Sequence, residues 1–159
     1  MEEKTEAVKS EETTVGLTMN YNPFSFISCQ EDALVLAGCI SHGLDADVIK
    51  KSGDLFATAR AMLLDACVCL LYRQGGDSMS MQGLVDLLQN DMSHNEDQDM
   101  PSIKAAYDKI EADGATVEED LGLKRYRMFQ AIAYGETAIS VELDLYAKLS
   151  AIVDRPLVG

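Results

Sequence analysis

The sequence predicts an all-α fold, a bundle of about six helices around a long central helix. Three observations predict it. Apolar residues recur at helical spacing along most of the chain after residue 20, and no segment of any length alternates apolar and polar residues as a half-buried strand does. The stretch over residues 55–73 is apolar on nearly every side, broken chiefly by Arg60, Asp65 and Arg73, which marks a helix surrounded by protein. Helix starts and stops recur along the chain and leave short polar connections between the elements.

Residues 1–20 are mostly Glu, Lys, Thr and Ser with few large apolar groups. Such a segment buries too little to offset its ordering entropy, so it is expected to be a disordered acidic arm. The all-α domain is expected over residues 21–155. Asn22-Pro23 favours an extended or turn conformation at its start. Ser28 and Glu31 make a capping-box pattern before an apolar run that ends near Gly43. The central helix follows, about 30 Å long at ~1.5 Å per residue, and Gly75-Gly76 ends it.

A third helix is expected over residues 80–90, with Leu84, Val85, Leu87 and Leu88 inward. Pro101 suits the first turn of a fourth, whose inner residues are Ile103, Tyr107 and Ile110 and which Gly114 stops. Thr116 and Glu119 form a second capping-box pattern, ahead of a helix carrying Tyr126, Phe129, Ile132 and Ala133. A break is expected near Gly135. The last helix, over residues 137–153, carries two apolar stripes, Ile139-Leu143-Tyr146 and Val141-Leu145-Leu149-Ile152, so wide a face that both are expected to pack on neighbours.

With 159 residues, 47% of them apolar, the chain can bury a real core, but Trp is absent and only 6% of residues are aromatic, so aliphatic residues and Met must build it. Acidic residues outnumber basic ones 27 to 13, a formal charge of −14. That balance disfavours nucleic acid and anionic lipid and suits a basic protein partner or simple solubility. Weak or no DNA binding and no direct membrane contact are therefore expected, and a monomeric isolated domain. No signal peptide and no apolar run long enough to span a bilayer are read. Cys39, Cys67 and Cys69 lie in apolar helical patterns. Cys67 and Cys69 point to different sides of a helix, so with Cys29 the four are read as free thiols of a reducing cytoplasm.

No residue set points to catalysis. Gly75-Gly76 lacks the Lys-Ser or Lys-Thr that completes a phosphate loop. No nucleophile has a base at useful spacing, no zinc spacing occurs, and His42 sits where a positive side chain complements a helix end. No enzyme activity and no cofactor are expected of the isolated chain. The basic cluster Lys124-Arg125-Tyr126-Arg127 offers charge and a ring for nucleic acid, but Tyr126 is spaced as a core residue and the charges are expected to pair with carboxylates.

Three pieces in order carry a resemblance: Tyr21-Asn22-Pro23-Phe24-Ser25-Phe26-Ile27; Asp54-Leu55-Phe56 through Tyr72; and Arg125-Tyr126-Arg127-Met128-Phe129-Gln130 with Gly135-Glu136-Thr137-Ala138. Together they resemble the all-α domain inserted in the motor of TraG/TraD-type conjugative coupling ATPases. Leu55-Phe56 stands where that family often has Phe-Trp. Gly135-Glu136-Thr137 stands where it has Gly-Lys-Thr, so no phosphate role is carried to position 136. The resemblance implies a module that recognises relaxase or relaxosome proteins, or other secreted proteins, for a type IV secretion channel. It further implies a motor domain of the same parent protein as neighbour, ATP chemistry supplied elsewhere in that parent, and a place at the cytoplasmic face of the cell membrane.

The docking residues are expected in the acidic connection between the third and fourth helices: Asp91, Met92, His94, Glu96, Asp97, Asp99 and Met100. The connection lacks the spacing and central glycine of an EF-hand. It is either a solvated loop or a recognition loop whose rim charges steer a basic partner while Met92 and Met100 anchor it. A different class of reading, a free-standing acidic protein that mimics DNA and blocks a DNA-binding enzyme, fits the same charge.

Overall fold

A computed structural model describes residues 22–44, 55–93 and 101–154. Among the described residues the chain forms six α-helices and no strand: α1 (Gln30–Leu44), α2 (Leu55–Gln74), α3 (Met81–Met92), α4 (Ile103–Ala112), α5 (Leu121–Ile132) and α6 (Glu136–Asp154). Short 3-10 turns occupy Pro23–Phe26 and Gly76–Ser78. The arm expected over residues 1–20 lies outside the described residues.

The caps explain where each helix begins, and several differ from the sequence expectation. At α1 it is Asp32, not Glu31, that reaches back, accepting from the backbone N–H (3.0 Å) and the hydroxyl (2.9 Å) of Ser28. At α3 the Ser80 hydroxyl accepts from the Gly83 N–H at 2.9 Å. At α4 the cap is Ser102, whose hydroxyl accepts from the Ala105 N–H, so Pro101 precedes the helix instead of opening it. Thr116 does not cap α5. Its carbonyl closes a separate turn with the N–H groups of Glu119 and Asp120, and Asp120 then caps the helix by accepting from Leu123 N–H at 3.0 Å. Asp120 is buried and also pairs with Arg73 in the last turn of α2, where a cation complements the helix dipole. The break at Gly135 stands as expected: the residue adopts φ +62°, and α6 starts immediately after it.

Helix α2 is the centre. It packs chiefly on α5 and α1 and also meets α6 and α3, while α3 pairs with α6 and α4 leans on α5. Ten of its twenty residues are buried. By length and composition α2 is apolar enough to cross a membrane, with mean hydropathy 1.7, contrary to the expectation that no such run exists. In this fold that apolar surface is taken up by the surrounding helices, as a core helix requires.

Side chains fix how α4 and α5 dock on α2. Tyr107 is buried, donates its hydroxyl to the Ala66 carbonyl of α2 at 2.6 Å, and stacks on Tyr126 of α5 with centroids 5.2 Å apart. Gly122 lets α5 approach: a Cβ there would lie 2.5 Å from the Tyr107 hydroxyl and 2.7 Å from Cys69 Cβ. The leading segment is pinned too. Asn22 accepts from Phe24 N–H through its side-chain oxygen and donates its amide to the Met79 carbonyl, 2.8 Å away, and Phe24 is fully buried.

Two expectations about the core fail. Cys39 is exposed, because the apolar pattern of α1 is wider than the face it turns to α2; Val35 is exposed with it. On α6 only the Val141-Leu145-Leu149 row is fully buried, and it suffices to meet both α2 and α3.

Candidate docking surface

Of the residues expected to dock a partner, Asp91 and Met92 close α3, and His94, Glu96, Asp97, Asp99 and Met100 lie outside the described residues. Asp91 is not a free rim charge. Its carboxylate accepts from the Ile103 N–H, the first amide of α4, at 2.7 Å. One residue earlier, the Asn90 amide donates to the Pro101 carbonyl at 3.4 Å. The two ends of the 94–100 connection are therefore tied together across its base. The Asp91 carboxylate is also close enough to Glu142 of α6 to push the Glu142 carboxyl up. Met92 beside it is 37% exposed, whereas Met79 and Met81 pack partly buried on the core.

Helix α3 packs on α6, and Leu143 follows Glu142, the α6 residue whose carboxyl Asp91 acts on. Leu143 is 55% exposed and Ile139, one turn before it, 65% exposed. Tyr134, in the link from α5, is 74% exposed. These residues form the surface that the sequence reading missed, since it assigned Ile139 and Leu143 to packed core. Large apolar side chains grouped at one place on a surface mark a contact site more often than scattered ones do. From Tyr134 to Ala147 the chain carries Glu136, Glu142 and Asp144 and no Lys or Arg. The next cation, Lys148, is drawn to Asp144 at 3.4 Å, and Asp144 also takes Arg60 of α2 at 2.7 Å.

Beneath this surface burial shifts several acids. Glu142 has one carboxyl oxygen buried without a hydrogen-bond partner. Burial first, and Asp91 second, hold its carboxyl protonated well above the ordinary carboxylate range. Burial pushes Asp65 up to about 6, against the pull of Arg125 at 3.7 Å. The thiols of Cys67 and Cys69 are raised by burial as well, Cys69 to about 12.

Two of the three cations of the basic cluster are spent on the fold. Arg127 pairs with Asp108 (2.9 Å) and Glu111 (2.6 Å), Arg125 faces Asp65, and Tyr126 lies in the core. Two shallow clefts are lined by described residues. One of about 300 Å³ lies between the end of α2 and the start of α3, lined by Leu71, Asp77, Asp86 and Leu87 among others. The other, of about 230 Å³, lies between the first 3-10 turn and α1, lined by Phe26, Asp32, Val35 and Cys39 among others. Among the described residues no three His, Cys, Asp or Glu side chains converge as metal ligands. Comparison with protein-family profiles, with curated proteins and with solved structures finds no match to this chain.

Proposed function

We propose that the chain is a protein-docking helical module, without enzymatic chemistry of its own. Its particular role, following the sequence resemblance, is substrate recognition for a conjugative coupling ATPase on the cytoplasmic side of a membrane, with a relaxase or relaxosome protein as partner. The observation that carries the docking reading is the exposed apolar pair Ile139 and Leu143, one turn apart on α6, with Tyr134 exposed just before that helix, on a stretch of chain (residues 134–147) that carries acidic but no basic side chains. Buried apolar anchors set affinity, and surrounding charges set association rate and partner choice. The fitting occupant is thus a basic protein surface with an apolar centre.

Surface plasmon resonance of the chain against the cognate relaxase, with single-stranded DNA as the second analyte, tests this. Saturable, salt-sensitive binding of the relaxase and no saturable DNA binding is the expected result. Absence of saturable relaxase binding at low salt sinks the relaxase assignment. Tight binding to a DNA-processing enzyme in competition with its DNA would instead support the DNA-mimic alternative.

A further inference from the structure

The cleft between the end of α2 and the start of α3 is shaped by backbone. Gly75 and Gly76 take positive φ (69° and 76°), which turns the chain off α2, and the 3-10 turn Gly76–Ser78 then packs on α3. Gly83 permits that approach: a Cβ there would run into the Ser78 carbonyl group, 2.7 Å from its carbon. The turn is held on both sides. The Ser78 hydroxyl donates to the Gly75 carbonyl at 3.2 Å, and the Asn22 amide donates to the Met79 carbonyl at 2.8 Å. The cleft, of about 300 Å³, is thus preformed. Its lining pairs two buried leucines, Leu71 and Leu87, with two exposed carboxylates, Asp77 and Asp86.

The chain supplies no cation here. From Gln74 to Ile103 it has no Lys or Arg, and Arg73, just before, is taken by Asp120. Asp86 accepts from the Gln82 side-chain amide at 2.9 Å, which leaves acceptor capacity on both its oxygens. Asp77 lies before α3, where a carboxylate complements the helix dipole, but Asp86 stands in the middle of α3 and that account does not reach it. A fitting occupant has an apolar stem for the leucines and a positively charged donor group for the carboxylates. A guanidinium brings five donors and sheds water more readily than an ammonium. The cleft is shallow and its carboxylates exposed, so a free small amine would keep much of its surface in water, whereas a side chain presented by a protein adds contacts around the rim. The geometry points to an arginine side chain of a basic partner protein, its stem against Leu71 and Leu87 and its guanidinium on Asp77 and Asp86. This inference rests on the docking reading only in expecting a basic protein as partner.

The test uses the full chain and no relaxase, so failure of the relaxase assignment leaves it standing. A short alanine peptide with one central arginine is titrated into the protein and followed by amide NMR at low salt. Saturable shifts are expected at Ser78, Gly83 and Leu87, weakening as salt is added. The same peptide with citrulline, which keeps the shape and loses the charge, should bind at least about tenfold more weakly. Equal binding of the two peptides, or no saturable shift at these three amides, would overturn the inference; both readings are made on the wild-type protein. Asp77→Asn/Asp86→Asn alters exposed side chains and keeps an acceptor for Gln82, and it should lower the affinity for the arginine peptide by about tenfold or more. Unchanged affinity in the folded double variant would overturn the inference. Putrescine is the third probe. If it binds this cleft more tightly than the arginine peptide does, the occupant is a free amine and the assignment to a partner's side chain falls.

Discussion

Tyr107 on α4 donates its hydroxyl to the main-chain carbonyl of Ala66 on α2, 2.6 Å away, and no other described hydrogen bond joins these two helices. The tie lies within the core, next to the stacked Tyr126 ring. Burial raises the Tyr107 phenol well above its ordinary value, so it stays a donor throughout the accessible pH range. Tyr107→Phe keeps the stacking and deletes the bond. It should cost about 1 kcal/mol, the usual net worth of a buried hydrogen bond, read as a shift of the urea midpoint with unchanged slope.

Gly122 is the second constraint on that packing. An added methyl would meet the Tyr107 hydroxyl and Cys69 Cβ inside contact distance, and Cys69 belongs to the central helix, which has nowhere to retreat. Gly122→Ala should therefore destabilise the fold by about 1–3 kcal/mol despite the better helix propensity of alanine. Thermal unfolding by circular dichroism decides it, and a stabilised variant would show that α5 sits farther from α2 than described.

Asp65 gives the fold a pH response. Its folded carboxyl titrates at about 6 against an ordinary value of 3.8. At pH values below 3.8 both states hold the proton and the group has no effect. As pH rises from there to about 6 the unfolded chain ionises first, so stability falls, and above 6 the loss is constant. Asp65→Asn should remove this slope and leave the protein more stable than wild type at pH 7, in urea titrations run from pH 4 to pH 7. An unchanged slope would place the effect on another group.

The thiols should divide by burial. Cys39 is exposed and Cys29 half-buried, while Cys67 and Cys69 are buried and their thiols raised far from ionisation. Since the thiolate is the reactive form, a thiol-exchange reagent at pH 8 should label Cys39 promptly, and Cys67 and Cys69 only at the rate of unfolding. Mass spectrometry of the labelled peptides checks the order.

How far the sequence was legible follows from the range of each signal. The all-α class, the central α2 and the inward faces of α3 and α4 were legible because helical periodicity and apolar all-round composition are local properties. Gly135 was legible because a break acts within one turn. Asp32 and Asp120 were missed in favour of Glu31 and Thr116 because several acceptors near a helix start satisfy the same pattern, and only the backbone path selects one. Ile139 and Leu143 were misplaced for a different reason: a stripe shows what is apolar, not whether a neighbour exists to cover it. The inward turn of Asp91 was hidden because its partner, the Ile103 amide, is brought to it by the fold, whereas its chain neighbours suggest a solvated acidic run.

The docking face is tested most directly by the dissociation rate of the cognate relaxase from Ile139→Ser/Leu143→Ser, measured by surface plasmon resonance beside wild type. These side chains are already exposed, so the double variant should keep its fold, checked by circular dichroism. If they anchor the partner, dissociation should quicken by about tenfold or more, with association nearly unchanged. Serines at Glu96, Asp97 and Asp99 should do the opposite, slowing association and flattening its salt dependence. An unchanged dissociation rate from a folded Ile139→Ser/Leu143→Ser protein would contradict the account and move the docking site to another face of the bundle.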